Sequence, residues 1–84
     1  MPYALRVLRA AERELKAIPP EVALRIDARV QALRHDPHPA QSQRLKGSPN
    51  FRLRVGDYRI IYTVDDAAEL VMVLTIGHRR DVYR

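Results

Sequence analysis

The sequence predicts an α+β fold, with an N-terminal strand and a helical hairpin packed on one face of a small, mainly antiparallel β-sheet. Three observations predict it. Phe51 to Tyr62 alternates strictly on either side of Gly56-Asp57, as two strands joined by a tight turn do. Val22, Ile26, Val30 and Leu33 recur at helical spacing behind the breaker Pro19-Pro20. Leu70 to Ile76 is a nearly continuous apolar run, the pattern of a strand buried on both faces and therefore central in its sheet.

Each element follows in order. Tyr3 to Leu8 alternates weakly and reads as a short first strand. Ala11, Leu15 and Ile18 mark a first helix, with Glu12 and Lys16 as an i,i+4 pair on its wet side. Pro19-Pro20 stops that helix, and Pro20 suits the first position of the next, where its missing N–H costs nothing. The second helix ends by Asp36-Pro37, because a residue before proline disfavours α geometry. His38 to Asn50 is a polar connection in which Arg44-Leu45-Lys46-Gly47 starts a strand. Asp65 to Glu69 is a turn before the apolar strand, and Gly77 to Arg84 is a basic tail.

The hairpin carries the functional signal. Gly56 at the first central position of a two-residue loop fits a type II′ turn, which needs positive φ there. That turn sets Val55 against Tyr58, Arg54 against Arg59, Leu53 against Ile60 and Arg52 against Ile61. Phe51, Leu53, Val55, Tyr58, Ile60 and Tyr62 then share the core face, which makes Tyr58 and Tyr62 packing residues. Arg52, Arg54 and Arg59 share the opposite, open face. Two cations directly opposite each other across a ladder oppose folding, so the arrangement points to a bound polyanion, most simply nucleic-acid phosphate.

Composition narrows the classes. The chain has 84 residues and reads as one domain spanning residues 1–84. A domain this small buries only about 60–65% of its unfolded surface, which predicts modest stability. It has no cysteine, which excludes disulfides and thiolate chemistry. No apolar run is long enough to span a membrane, and Met1-Pro2-Tyr3 does not begin a signal peptide, so a cytoplasmic location with no membrane partner is expected. Net charge is +5, and Lys16 and Lys46 are the only lysines. Arginine matches phosphate with a planar fork of donors, although codon bias also enriches it. His35-Asp36-Pro37-His38 has metal-ligand residue types, but its proline spoils helical presentation, and it reads as a helix end with no metal.

Three stretches together carry a resemblance. Arg44-Leu45-Lys46-Gly47, Gly56-Asp57-Tyr58-Arg59-Ile60-Ile61-Tyr62 and Gly77-His78-Arg79-Arg80-Asp81-Val82-Tyr83-Arg84, in this element order, resemble the RelE family of bacterial type II toxins, within the RelE/ParE superfamily. The likeness covers essentially the whole chain. It implies an mRNA interferase that enters the ribosomal A site and cuts the message there, with the RNA's own 2′-hydroxyl as nucleophile and no metal or cofactor. Carried over by motif, the catalytic positions are Arg52, Arg54, Arg59, Arg79 and Tyr83, with His78 added as a proton-transfer group and Lys46 and Arg80 as RNA-binding cations. The resemblance also implies an acidic, RelB-like antitoxin as partner, beside the ribosome and mRNA, with DNA contacted only through the antitoxin.

This chain departs from the family's best-known members, which carry lysine where it has Arg52 and Arg54. An arginine cannot give up its proton, so proton transfer is expected from His78 and Tyr83. Plainer readings stand beside these. Arg52 also fits an exposed strand residue, Arg79 a salt bridge to Asp81 or Asp57, His78 a strand-end histidine, Tyr83 a ring docking the tail, and Lys46 a solvated loop cation. Two other functions stay open on this fold: a ParE-like inhibitor of DNA gyrase, and a degenerate toxin acting only as an antitoxin-binding module.

Overall fold

The computed structural model of the chain describes residues 2–78. A first strand, β1 (Ala4–Val7), leads into α1 (Arg9–Lys16) and α2 (Pro20–Ala32). Four strands follow: β2 (Ser42–Arg44), β3 (Phe51–Val55), β4 (Tyr58–Asp65) and β5 (Leu70–His78). The strands form one sheet in the order β1-β5-β4-β3-β2. β1 runs parallel to β5 and every other pair is antiparallel. This is the α+β architecture expected from the sequence.

Local chemistry explains the helices. Pro20 sits in the first turn of α2, where its fixed φ suits entry and no donor is lost. Ile26, Val30 and Leu33 turn inward and are almost fully buried. α2 ends at Ala32, a turn earlier than Asp36-Pro37 alone requires. Both helices lie over one sheet face. Ala11, Ile18, Ile26, Val30 and Leu33 meet Leu53, Val55, Ile60, Tyr62, Val71, Val73 and Ile76 in a single core. The only ion pair among the described residues is His38–Asp66, so Glu12 and Lys16 do not close the expected pair.

The hairpin register is the one expected: Arg54 opposes Arg59 and Leu53 opposes Ile60. Gly56 has φ +59°, and Asp57 is not in the left-handed region, as a type II′ turn requires. β2 begins earlier than expected, at Ser42, and Leu45, Lys46 and Gly47 belong to the turn after it.

Two features of β5 differ from a plain apolar strand. Its second face is only half-buried, and full burial on both faces falls instead on β4, the middle strand, at Ile60, Ile61 and Tyr62. Also, Val73 and Ile76 are three residues apart yet both point into the core. A bulge allows it: Ile61 pairs with Thr75 and Tyr62 with Val73, which leaves Leu74 as the extra residue and resets the alternation. β1 pairs β5 only as far as Val73. Beyond that point one oxygen of the Glu14 carboxylate accepts from the Thr75 hydroxyl at 2.7 Å and the Ile76 backbone N–H at 3.2 Å. Helix α1 thereby satisfies the strand edge that β1 leaves uncovered.

Candidate functional site

The sheet face away from the helices carries the arginines. Cross-strand partners share a face, so Arg54, Arg59 and Gly77 form one row across β3, β4 and β5. Arg52 lies one pleat along β3, opposite Ile61. The absence of a side chain at Gly77 leaves that row low on the β5 side. Arg54 is exposed and Arg52 half-exposed.

Arg59 corrects the expectation of an open arginine face: it is 2% exposed. Alternation assigns a side chain to a face and does not show what covers it, and Arg59 stands on the central strand beside buried Ile61. Its guanidinium donates to the Tyr58 carbonyl at 3.5 Å. A guanidinium keeps its charge when buried, and its field is less screened there than at the surface. Arg54 is thus the exposed cation of the row, and Arg59 the buried one beside it on the neighbouring strand.

His78 is placed elsewhere. It opposes Tyr58 on β4, and the two rings meet edge to face with centroids 5.5 Å apart. Tyr58 packs against the core, so the register puts His78 on the helix side of the sheet, away from Arg54 and Arg59. The sequence reading missed this because a basic tail has no alternation from which to read a face. Arg79, Arg80 and Tyr83 lie outside the described residues. Lys46 is exposed in the turn after β2, and that turn, from Arg44 to Pro49, bounds a shallow hollow of about 420 Å³.

One site residue was not anticipated. Gln43 on β2 pairs with Arg52 on β3, and its amide oxygen accepts a hydrogen bond from the Arg52 guanidinium. A strand begun at Arg44 hides this partner, and a strand begun at Ser42 reveals it. Gln43, Arg52 and Arg54, with Ala40 and Gln41, border a recess of about 300 Å³.

At the far end of the sheet a second polar cluster joins three segments. The Tyr3 hydroxyl donates to the Asp66 carboxylate at 2.8 Å, and the His38 ring lies 3.4 Å from the same oxygen. The Tyr3 bond, ahead of the histidine, holds the Asp66 carboxyl below its ordinary range, and the same bond raises the Tyr3 phenol. His38 also touches the Phe51 ring edge-on, and its backbone N–H donates to the Asp36 carboxylate at 3.3 Å. His35 to His38 is thus a loop after α2. Among the described residues no group of three His, Cys, Asp or Glu side chains is placed to hold a metal ion.

A family model, that of the ParE toxin of the type II toxin–antitoxin system parDE, matches residues 5–83. The chain belongs to the RelE/ParE superfamily of type II toxins. Among its RelE/ParE relatives is the RelG toxin of Mycobacterium tuberculosis, 33% identical over 86 residues that cover 100% of this chain and 99% of the relative. The fold matches the toxin–antitoxin complex RelBE2 of Mycobacterium tuberculosis with a TM-score of 0.81 and 28% identity, over 94% of this chain and 100% of that one. It matches the archaeal RelE–RelB complex of Pyrococcus horikoshii with a TM-score of 0.84 and 25% identity, over 94% and 97%. Among the described residues no helix is long and apolar enough to cross a membrane.

Proposed function

We propose that this RelE/ParE toxin is an endoribonuclease that cleaves mRNA in the ribosomal A site by attack of the RNA's 2′-hydroxyl on the adjacent phosphate. The observation that supports it most is the facing pair Arg54 and Arg59, one exposed and one buried, on the sheet face away from the helices. Guanidinium groups side by side on one face draw a phosphate to the exposed one. The reacting phosphate gains charge as the 2′-oxygen adds, and preformed guanidinium donors stabilise that charge. Arg52 extends the same surface, and the family motif assigns Arg79 a role in the same chemistry.

Arginine supplies charge and hydrogen bonds, and it neither takes the 2′-hydroxyl proton nor protonates the leaving 5′-oxygen. With His78 turned to the other face, Tyr83 of the closing motif is the side chain left to protonate the leaving 5′-oxygen, and the 2′-hydroxyl proton passes to water. His78, on the other side of the sheet, takes no part in this scheme. Lys46 and Arg80 hold RNA beyond the reacting phosphate. An acidic RelB-like antitoxin neutralises the toxin, a reading supported by the RelB–RelE complexes whose toxins share its fold.

The test is cleavage of mRNA threaded through ribosomes stalled with an empty A site. Wild type cuts within the A-site codon and leaves 2′,3′-cyclic phosphate ends. Arg54→Ala and Tyr83→Phe lose at least tenfold in rate, as removal of a charge-stabilising donor or a proton-transfer group does, and His78→Ala cuts like wild type. The matched family model is described as that of a ParE toxin, and this favours gyrase inhibition as the second reading. Folded wild-type protein that leaves the mRNA intact and blocks gyrase supercoiling would replace the first reading with the second.

A further inference from the structure

We infer that Glu14 on α1 is a positioning residue for the RNA cut: its carboxylate fixes the end of β5 from which the closing motif continues. The inference rests on the RNA-cleaving reading and adds to it the contact that holds the start of that motif in place.

The end of β5 needs such a contact. Up to Val73 the strand is paired on both edges, by β1 and by β4. From Thr75 to His78 it is paired by β4 alone. The bulge at Leu74 has just interrupted the ladder, and Gly77 has no side chain to pack. A strand end with one paired edge, a bulge and a glycine opens more readily than the middle of the sheet. Its placement matters, because Gly77 lies in one row with Arg54 and Arg59, and Arg79 and Tyr83 follow it in the chain.

Glu14 meets this strand end on its unpaired edge. One carboxylate oxygen accepts from the Thr75 hydroxyl and from the Ile76 backbone N–H. Hydrogen bonds to a carboxylate are roughly twice as strong as those between neutral groups. A glutamate on a short surface helix ordinarily points to water or pairs with a cation one turn away. Glu14 does neither: it is half-buried, and among the described residues it closes no ion pair. Ala11 and Ile18 are buried in the core and Leu15 packs against it, which anchors the segment over the sheet and turns the flank carrying Glu14 to the strand edge. The carboxylate thus ties a helix fixed by the core to the strand end that leads into the closing motif.

A reacting group displaced by about 1 Å loses up to about a hundredfold in rate. Arg54, on β3, takes its place from the hairpin and not from this strand end. Glu14 therefore acts on the rate of the cut and not on the hold on the RNA.

The test is single-turnover cleavage of mRNA on ribosomes stalled with an empty A site. Toxin in excess separates the maximal rate from the half-saturating toxin concentration. Glu14→Ala lowers the maximal rate by about ten- to a hundredfold and leaves the half-saturating concentration at the wild-type value. Glu14→Gln, whose amide oxygen still accepts from both donors, restores most of the rate. Thr75→Val removes one of the two donors and loses less than Glu14→Ala, and it carries the same comparison if Glu14→Ala does not fold. Tyr62→Phe removes a hydrogen bond elsewhere in the fold and keeps the wild-type rate, as a control for lost stability alone. A Glu14→Ala variant that cuts at the wild-type rate, a defect confined to the half-saturating concentration, or a defect that Tyr62→Phe shares overturns the inference and leaves the cleavage reading intact. Wild-type protein that binds the ribosomes and leaves the mRNA whole overturns the cleavage reading itself.

Discussion

Single residues show where this small domain concentrates its stability. Tyr62 is fully buried, stacks on Phe51 with centroids 5.6 Å apart, and donates its hydroxyl to the Pro37 carbonyl at 3.1 Å. Burial pushes its phenol above the ordinary value, with a smaller opposing effect from Ser42. Tyr62→Phe keeps the ring and its stacking and removes only the bond that ties the loop after α2 to the central strand. The expected cost is about 1 kcal/mol, the net value of one internal hydrogen bond, read from urea unfolding followed by circular dichroism. A variant as stable as wild type would show that water replaces the bond at no cost. Arg59 makes the complementary point: buried on the central strand and opposite exposed Arg54, it belongs to the packing of the sheet as well as to the arginine row.

At the scale of elements, the β3–β4 hairpin is the device that sets the arginines, and its turn rests on Gly56. A Cβ at Gly56 meets no atom within 4 Å, so only its φ of +59° opposes a side chain. Gly56→Ala therefore costs about 1–2 kcal/mol in backbone strain, measurable as a lowered urea midpoint at unchanged slope. A neutral substitution would mean that the turn relaxes to another type, which would in turn shift Arg54 out of line with Arg59. The hairpin was legible from the sequence because a two-residue loop and strict alternation leave one register, and that register holds at all five pairs from Phe51–Tyr62 to Val55–Tyr58. Pro20 at the start of α2 was legible for the same kind of reason, since backbone chemistry decides it locally. The bulge at Leu74, the start of β2 at Ser42 and the side of the sheet that His78 takes were not. Each is decided by pairing with a distant strand, and Leu70 to Ile76 is too uniformly apolar to mark the residue at which its alternation resets. The candidate site divides along the same line: Arg52 and Arg54 followed from alternation, whereas Gln43 needed the β2–β3 register and the burial of Arg59 needed the whole sheet.

The whole molecule has two electrostatic ends, and each makes a prediction. At one end, Tyr3 and Asp66, 63 residues apart, join the start of β1 to the β4–β5 turn, with His38 on the same carboxylate oxygen. The Asp66 carboxyl is lowered on folding, so its contribution to stability is complete above the unfolded value near ~3.9 and is lost as pH falls through the folded one. The Tyr3 phenol is raised, so its contribution is complete below about 10 and is lost as pH rises through the folded value. Asp66→Asn keeps an acceptor oxygen for Tyr3 and abolishes the carboxyl's titration and the negative charge beside the phenol. The thermal midpoint of wild type relative to this variant should be highest between the two limits and decline beyond each, and a difference independent of pH would show that the pair does not contribute as an ionised bond. At the other end lies the arginine row, where the proposed function puts RNA phosphate, on a chain of net charge +5. Each phosphate neutralised on single-stranded RNA adds about −0.7 to the slope of log affinity against log salt. Arg54→Ala should therefore reduce the magnitude of that slope by about 0.7 and weaken binding to all codons alike. A slope that Arg54→Ala does not move would place the bound phosphate off this row, and an acidic segment of the antitoxin would then be the anion to test against Arg54.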